Sequence, residues 1–473
     1  MNRQVPFFNC GIFLLVVILT QACGPEKAEQ AIQQPALGAV PATPQRIGDP
    51  NVGYDALVNQ PYFTCGMPFS AYQRNAKPPE PNQTLPGRND LNRDLPYMLT
   101  SHITAENVRL VHSNCLLCHA AFFNDQLIIG LGNEFLDFTE DPSINAEQLG
   151  AYIDEDSEAR EWKKWADRIA AISPYIQTDT VGVNPAVNMT FALIAHRDPL
   201  TLRWSEEPLI EPPPNKPLPV SVPPWWRLKK KNALFYSTEG RGDHARIMML
   251  GETLCTDSIE EARRIDRLAP DIRAFLTTLE APEYPFSVNS DRAAKGRVLF
   301  EQNCSRCHGT YDDRPSYPNL VFGYTEIGTD PELAKFFTAP ENARFIRWAS
   351  QSFYFENSSS GAAPGYIAPP LDGIWATAPF FHNGSVPTIA GVLDSASRPQ
   401  FWLYPEKPSE FDQDTLGWRH QVLDYGKHAA RNHREWKRLY DTTAKGYSNA
   451  GHTYGDQLSP AQRRTLIEYL KTL

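Results

Sequence analysis

Apolar positions recur at helical spacing in four stretches of the chain. Over residues 291–303, Ala294, Val298 and Leu299 share one face, which predicts a helix running into Cys304. Residues 458–473 place Leu466, Ile467 and Leu470 on one stripe, with Ser459 as N-cap and Pro460 at the first helical position. Residues 259–265 and 269–279 read as two further helices, the second closing the first half of the chain. Pro282 and Pro285 then punctuate a linker, so the boundary falls near residue 283, between a unit 51–282 and a unit 283–473. Eight prolines between Pro208 and Pro224 force an extended loop there. The pattern predicts a mainly α fold with long irregular loops and little β.

The first residues follow a different logic. Arg3 precedes a short apolar run, Gly11–Leu19, too short to span a bilayer, and the run ends at Thr20-Gln21-Ala22-Cys23. Residues 1–23 read as an export signal of the lipoprotein type, with Cys23 as the lipidated N-terminus of a periplasmic protein. Residues 24–50, rich in Ala, Gln and Pro, read as a flexible tether. The membrane would be reached only through that lipid anchor.

The 473 residues carry a formal charge of −10, which argues against a nucleic-acid partner. Pro (41) outnumbers Gly (28), in keeping with ordered irregular loops. One dense basic run, Arg227, Lys229, Lys230 and Lys231, reads either as a solvated face or as partners for the acidic arms of a cofactor.

Four of the eight cysteines fall in two identical frames, Cys115-Leu116-Leu117-Cys118-His119 and Cys304-Ser305-Arg306-Cys307-His308. C-x-x-C-H is the attachment frame of c-type haem: two thiols reach two vinyl groups on one porphyrin edge, and the next His binds the iron. A zinc half-site would need a second Cys or His pair near each frame, and a redox dithiol does not explain His at the same offset twice. The cofactors expected are therefore two covalently bound haems c, with His119 and His308 as proximal iron ligands. Calcium is a further cofactor to look for. Cys65 and Cys255 remain, as a disulfide or as separate buried thiols.

The opposite face of each iron decides between electron transfer and chemistry on a small oxidant. No Met follows Met249, so the second haem has only histidines to draw on: His382, His420, His428, His433 and His452. His452 lies among small residues, Ser448-Asn449-Ala450-Gly451, which let backbone approach a flat cofactor, and is the favoured ligand. His382 is its rival. Near the first haem, His244 in the polar loop Gly240–Arg246 is expected beside an open or weakly held face, while Met248 and Met249 read as core. Trp225 and Trp226 are either packing or a bridge for electrons.

The segment Ala376-Thr377-Ala378-Pro379-Phe380-Phe381-His382-Asn383-Gly384-Ser385 resembles one found in bacterial di-haem cytochrome c peroxidases and the related methylamine-utilisation enzyme. Residues 369–379, Pro224-Trp225-Trp226 with Lys229–Ala233, the turn Gly240–Asp243, and Ser448–His452 are closer to the di-haem rubber oxygenase-like cytochromes. The resemblance spans roughly residues 95–473, with 369–388 its most specific part. It implies two tandem cytochrome c-like domains, a first haem that meets peroxide or O2, and a second that relays electrons. It implies bis-His ligation of the second haem through His308 and His452, with Trp226 between the haems. His244, Trp226 and His382 are the candidate catalytic residues, and a periplasmic electron donor or acceptor is the partner. An oxygenase acting on an apolar substrate and a plain electron carrier are the rival readings.

Overall fold

The computed structural model describes residues 37–407 and 410–473, and residues 37–473 pack as one unit. The expected export signal and Cys23 lie outside the described residues. No helix among those described is long and apolar enough to cross a membrane.

Helices form where the spacing placed them. Pro460–Leu470 is capped by Ser459, whose hydroxyl accepts from Gln462 N while the Gln462 side chain returns to Ser459 N. Leu466, Ile467 and Leu470 are buried as expected. Ser290–Asn303 also forms, but on a different face. Its buried residues are Ala293, Gly296 and Phe300, while Val298 is 51% exposed. The cause is the crossing with Pro460–Leu470. A β-carbon on Gly296 would lie 2.2 Å from the Thr465 carbonyl oxygen, so the two backbones touch there and the smallest residues take the contact.

The same device recurs in the first half. Helix Pro50–Asn59, capped by Asp49, crosses Ala269–Thr278, and a β-carbon on Gly53 would sit 1.9 Å from the Asp271 carbonyl oxygen. Ile259–Asp266, capped by Ser258, precedes Ala269–Thr278 in the chain. The proline-rich stretch 206–224 carries no helix or strand.

β structure is short and local. Arg109–Ser113 lies between Met67–Pro68 and Leu99–Ile103, and Phe401–Leu403 lies between Gln421–Leu423 and Leu439–Asp441, every pairing antiparallel. The fold is mixed and mainly helical. Cys65 and Cys255 are bonded, with Cα atoms 5.1 Å apart.

Two apolar cores hold the two C-x-x-C-H turns. Leu116 and Cys115 pack in the first, Phe300 and Cys304 in the second. Neither core stops at the linker. The first takes in Phe345, Trp348, Phe353 and Tyr354, and the second takes in Ala121, Phe123, Leu131 and Trp226.

Residues 37–50, read as the end of a loose tether, are instead laid down on the fold. Val40 is buried, Ala39 bridges to Leu320, and Arg46 pairs with Asp243 and Asp266. The Gln45 amide donates to Gly242 O at 2.7 Å and accepts from His244 N at 3.1 Å. Specific long-range bonds fix a segment whose composition alone signals none.

Candidate haem sites

Both C-x-x-C-H frames fold as one helical turn that brings the two thiols and the imidazole to one place. In the first, Asn114 Oδ1 caps the turn through Leu116 N, and Asn133 binds back to Cys118 O and Leu117 O. In the second, the helix Ser290–Asn303 delivers Cys304, and Gly309 (φ +83°) ends the turn. All four thiols are free. Among the described residues no three His, Cys, Asp or Glu side chains cluster to hold a bare ion.

The second site passes a direct test of fit. The His308 and His452 ring centroids are 6.2 Å apart. An iron bound by two imidazoles at about 2 Å each would hold their centroids roughly 6 Å apart. His308 Nδ1 lies 2.8 Å from Pro369 O, an orientation that frees Nε2 for a metal. His452 Nδ1 is buried and has no partner. Burial holds the His452 imidazole well down, to about 4, with His308 and Arg398 adding to the effect, so it is neutral and free to bind a metal at neutral pH.

His452 is placed by strain and by a clamp. Gly451 (φ +76°) and His452 (φ +46°) are both left-handed, and a β-carbon at Gly451 would meet the Gly328 backbone at 2.1 Å. The Arg398 guanidinium donates to the carbonyls of Asn449 (2.7 Å), Gly451 (2.6 Å) and His452 (3.1 Å), and its Nε to Gly391 O (2.8 Å). Phe381 and Tyr454 flank the His452 ring.

His382 is not brought to His308. Its ring stacks on Tyr366 at 4.1 Å, and its neighbour Phe381 is the residue that meets His452. Burial alone pushes the His382 imidazole down to about 3. His428 and His433 are exposed, and His420 packs edge-on to Trp402.

At the first site, the His119 ring stacks on Trp225 at 4.6 Å, and its Nδ1 is buried without a partner. His244 opens the helix His244–Met248, whose Ala245 and Ile247 share the core of Leu116. It is 1% exposed, and neither ring nitrogen has a partner. Burial first, then Arg273, holds it down at about 4. Phe235 and Thr238 in the loop before it have positive φ, a conformation that costs a non-glycine residue energy. Met249 is core, and Met248 packs against the same cluster.

Trp226 donates its indole N–H to Asp372 O at 2.8 Å, and Arg227 donates to the same oxygen at 3.0 Å. Lys230 pairs with Asp372 Oδ1 at 2.6 Å, and Lys229 with Glu280. The segment Pro369–Asp372 is thus bonded to His308 at one end and to the tryptophan and basic run at the other. Arg227 is 6% exposed and bonds only to a carbonyl and to Thr377. Lys231 is held down to about 8 by burial, and its nearest acceptor is Phe235 O at 3.4 Å. Half-solvated at most and without a paired carboxylate, these two cations suit the acidic arms of a haem.

Sequence reasoning missed three residues here. Arg398 and Gln45 act through backbone atoms of distant segments, which leaves no spacing to read. Glu134, buried beyond the hairpin that follows the Cys118 turn, sits in Gly130-Leu131-Gly132-Asn133-Glu134, where only an acid between glycines and Phe135 hints at it.

A family model described as RoxA-like, cytochrome c-like matches residues 365–403, a stretch that contains the segment bonded to His308 and Trp226. It relates the chain to rubber oxygenase-like cytochromes and supports covalent haem c binding and a cytochrome role in electron transfer. The chain is 29% identical over 237 residues to uncharacterized protein y4iM of Sinorhizobium fredii (strain NBRC 101917 / NGR234), covering 42% of this chain and 52% of that protein. It is 44% identical over 119 residues to uncharacterized protein y4iJ of the same organism, covering 23% of this chain and 18% of that one. The chain thus spans about half of the first relative and under a fifth of the second.

Proposed function

We propose that this chain is a periplasmic di-haem c-type oxidoreductase, held at the membrane by a lipid on Cys23, in which the first haem meets a small oxidant and the second relays electrons. The observation that carries the reading is the 6.2 Å separation of the His308 and His452 rings across a gap suited to one iron. Cys115, Cys118 and His119 would hold the first haem, and Cys304, Cys307, His308 and His452 the second. When bound, the haems supply one-electron redox chemistry and, at the first, an iron face for H2O2 or O2.

The protein's own part is positioning and proton handling. His244, neutral because it is buried, accepts a proton at a ring nitrogen from a bound peroxide and returns it to the departing oxygen. His452 closes the second site and keeps substrates from it. Between the sites, Trp225 against His119, Trp226 on Asp372, and Pro369 on His308 form a continuous packed and hydrogen-bonded route for electrons. Arg227 and Lys231 neutralise the acidic arms of the haems.

The same unpartnered nitrogens of His244 favour a second reading, in which that ring closes the first iron and the protein is an electron carrier. Optical and EPR spectra of the holoprotein, with CO added to the reduced form and H2O2 to the oxidised form, separate the two. One ligand-binding haem and one inert low-spin haem are expected. Two inert low-spin haems would leave the carrier reading.

A further inference from the structure

Glu134 lies in a loop pinned to the first attachment turn: Asn133, the residue before it, donates its backbone N–H to Cys118 O at 2.8 Å and its side-chain amide to Leu117 O at 3.1 Å. The loop is pressed on residue 222 so closely that a β-carbon on Gly132 would lie 2.1 Å from Val222 O. The Glu134 carboxyl is 5% exposed. Its Oε1 accepts from Ser221 Oγ at 2.7 Å and from Val222 N at 2.8 Å, while Oε2 is buried with no partner. The ionisable groups that face it are Cys118, Tyr236, Tyr404 and Tyr440, none of them a cation. Burial pushes the carboxyl up to about 8 against the pull of its two donors.

We propose that Glu134 is a proton-binding site coupled to reduction of the haem held by Cys115 and Cys118: a carboxylate while that haem is oxidised, a carboxylic acid once it is reduced. The inference rests on the di-haem reading above. The balance is one electron from a one-electron donor to the iron and one proton from solvent to Oε2, with no other bond made or broken. The driving force is electrostatic. The added electron removes a positive charge from the neighbourhood of a buried carboxylate with no cation of its own, and in a low-dielectric interior that carboxylate is relieved only by taking a proton. Asn133 fixes the distance to the thioether edge, so the coupling is built into the attachment turn.

The test is a spectroelectrochemical titration of the holoprotein against pH, with a dye mediator as electron donor, comparing wild type, Glu134→Gln and Ser221→Ala. One proton per electron lowers the potential by up to about 59 mV for each tenfold fall in proton activity. The wild-type first haem is expected to approach that slope in the range around 8, and Glu134→Gln to flatten it. Ser221→Ala removes a donor that favours the charged form, so it moves the sloping range to higher pH and keeps the proposal testable if the glutamine variant does not fold. A protonated-carboxyl infrared band that appears on reduction, and is lost in Glu134→Gln, is a second readout. Two haems per chain with a pH-independent wild-type potential, or an unchanged slope in Glu134→Gln, overturns this proposal alone. Absence of haem at Cys115 and Cys118 overturns the di-haem reading beneath it.

Discussion

Arg398 lies far from both attachment turns in sequence, yet on the proposed di-haem reading its substitution by Ala should open the second haem to ligands. Its guanidinium gathers three carbonyls of the loop that ends in His452. Hydrogen bonds to a charged group net about 1.5–3 kcal/mol each when shielded. Arg398 is only half-buried, so about 1 kcal/mol per bond is a fair figure, or about 3 kcal/mol for the clamp. The loop it restrains is strained, with His452 itself at φ +46°, and a left-handed non-glycine residue costs roughly 1–2 kcal/mol. Without the clamp that strain favours release of the imidazole. A loss of about 2–3 kcal/mol of loop preference weakens closure roughly 30- to 150-fold. CO must displace His452, so its apparent affinity for the reduced second haem should rise by the same factor. The assay is a CO titration of the reduced holoprotein, with the two haems told apart by their spectra. Unchanged CO affinity at the second haem in Arg398→Ala would refute the argument, as would a change confined to the first.

Three further outcomes follow from the same structure. Reducing Cys65–Cys255, which are separated by 190 residues, frees a long loop in the unfolded chain and should cost up to about 5 kcal/mol, read as a lower denaturant midpoint; equal midpoints with and without reductant would exclude this role. His382 is held down to about 3, so its contribution to stability is present above the unfolded value of about 6.5 and is lost as pH falls below it; denaturation from pH 7 downward should show His382→Gln gaining on wild type, and a pH-independent difference would contradict the burial argument. Gln45→Ala removes two bonds to the 242–244 turn, about 1 kcal/mol each, and should speed hydrogen exchange at His244 N, whereas unchanged exchange would mean that the strap does not hold the turn.

Local chemistry was the legible part of this chain. A C-x-x-C-H frame specifies its own geometry within five residues, and Ser459-Pro460 with its apolar stripe specifies a capped helix in the same way. What could not be read is what depends on a partner far away in sequence. The burial of Ala293, Gly296 and Phe300 in place of Ala294 and Val298, with Leu299 half-buried against the second core, follows from the crossing at Thr465, which no periodicity within 291–303 encodes. Helix Pro50–Asn59 carried a readable signal, Asp49 before Pro50, which the periodicity alone did not bring out. The close approach of the His452 segment to its surroundings was legible because small residues precede it. Arg398, which holds it, was not.

The linker around Pro282 and Pro285 looks like a boundary in the sequence, but the packing runs across it for a physical reason. Adjacent tryptophans serve different cores: Trp225 lies with Leu116 in the first and stacks on His119, and Trp226 lies with Trp375 and Phe300 in the second and bonds Asp372. A single peptide bond therefore joins the proximal side of one site to the segment that orients His308 in the other. A packed connection of that kind suits the electron exchange proposed between the two sites. It also places three constraints on residues 369–373: Pro369 O meets His308, Asp372 O meets Trp226, and Gly373 (φ +60°) leaves room for the indole, where a β-carbon would sit 3.0 Å from Trp226. Three constraints within five residues leave little freedom for substitution, and they fall inside the stretch matched by the cytochrome family.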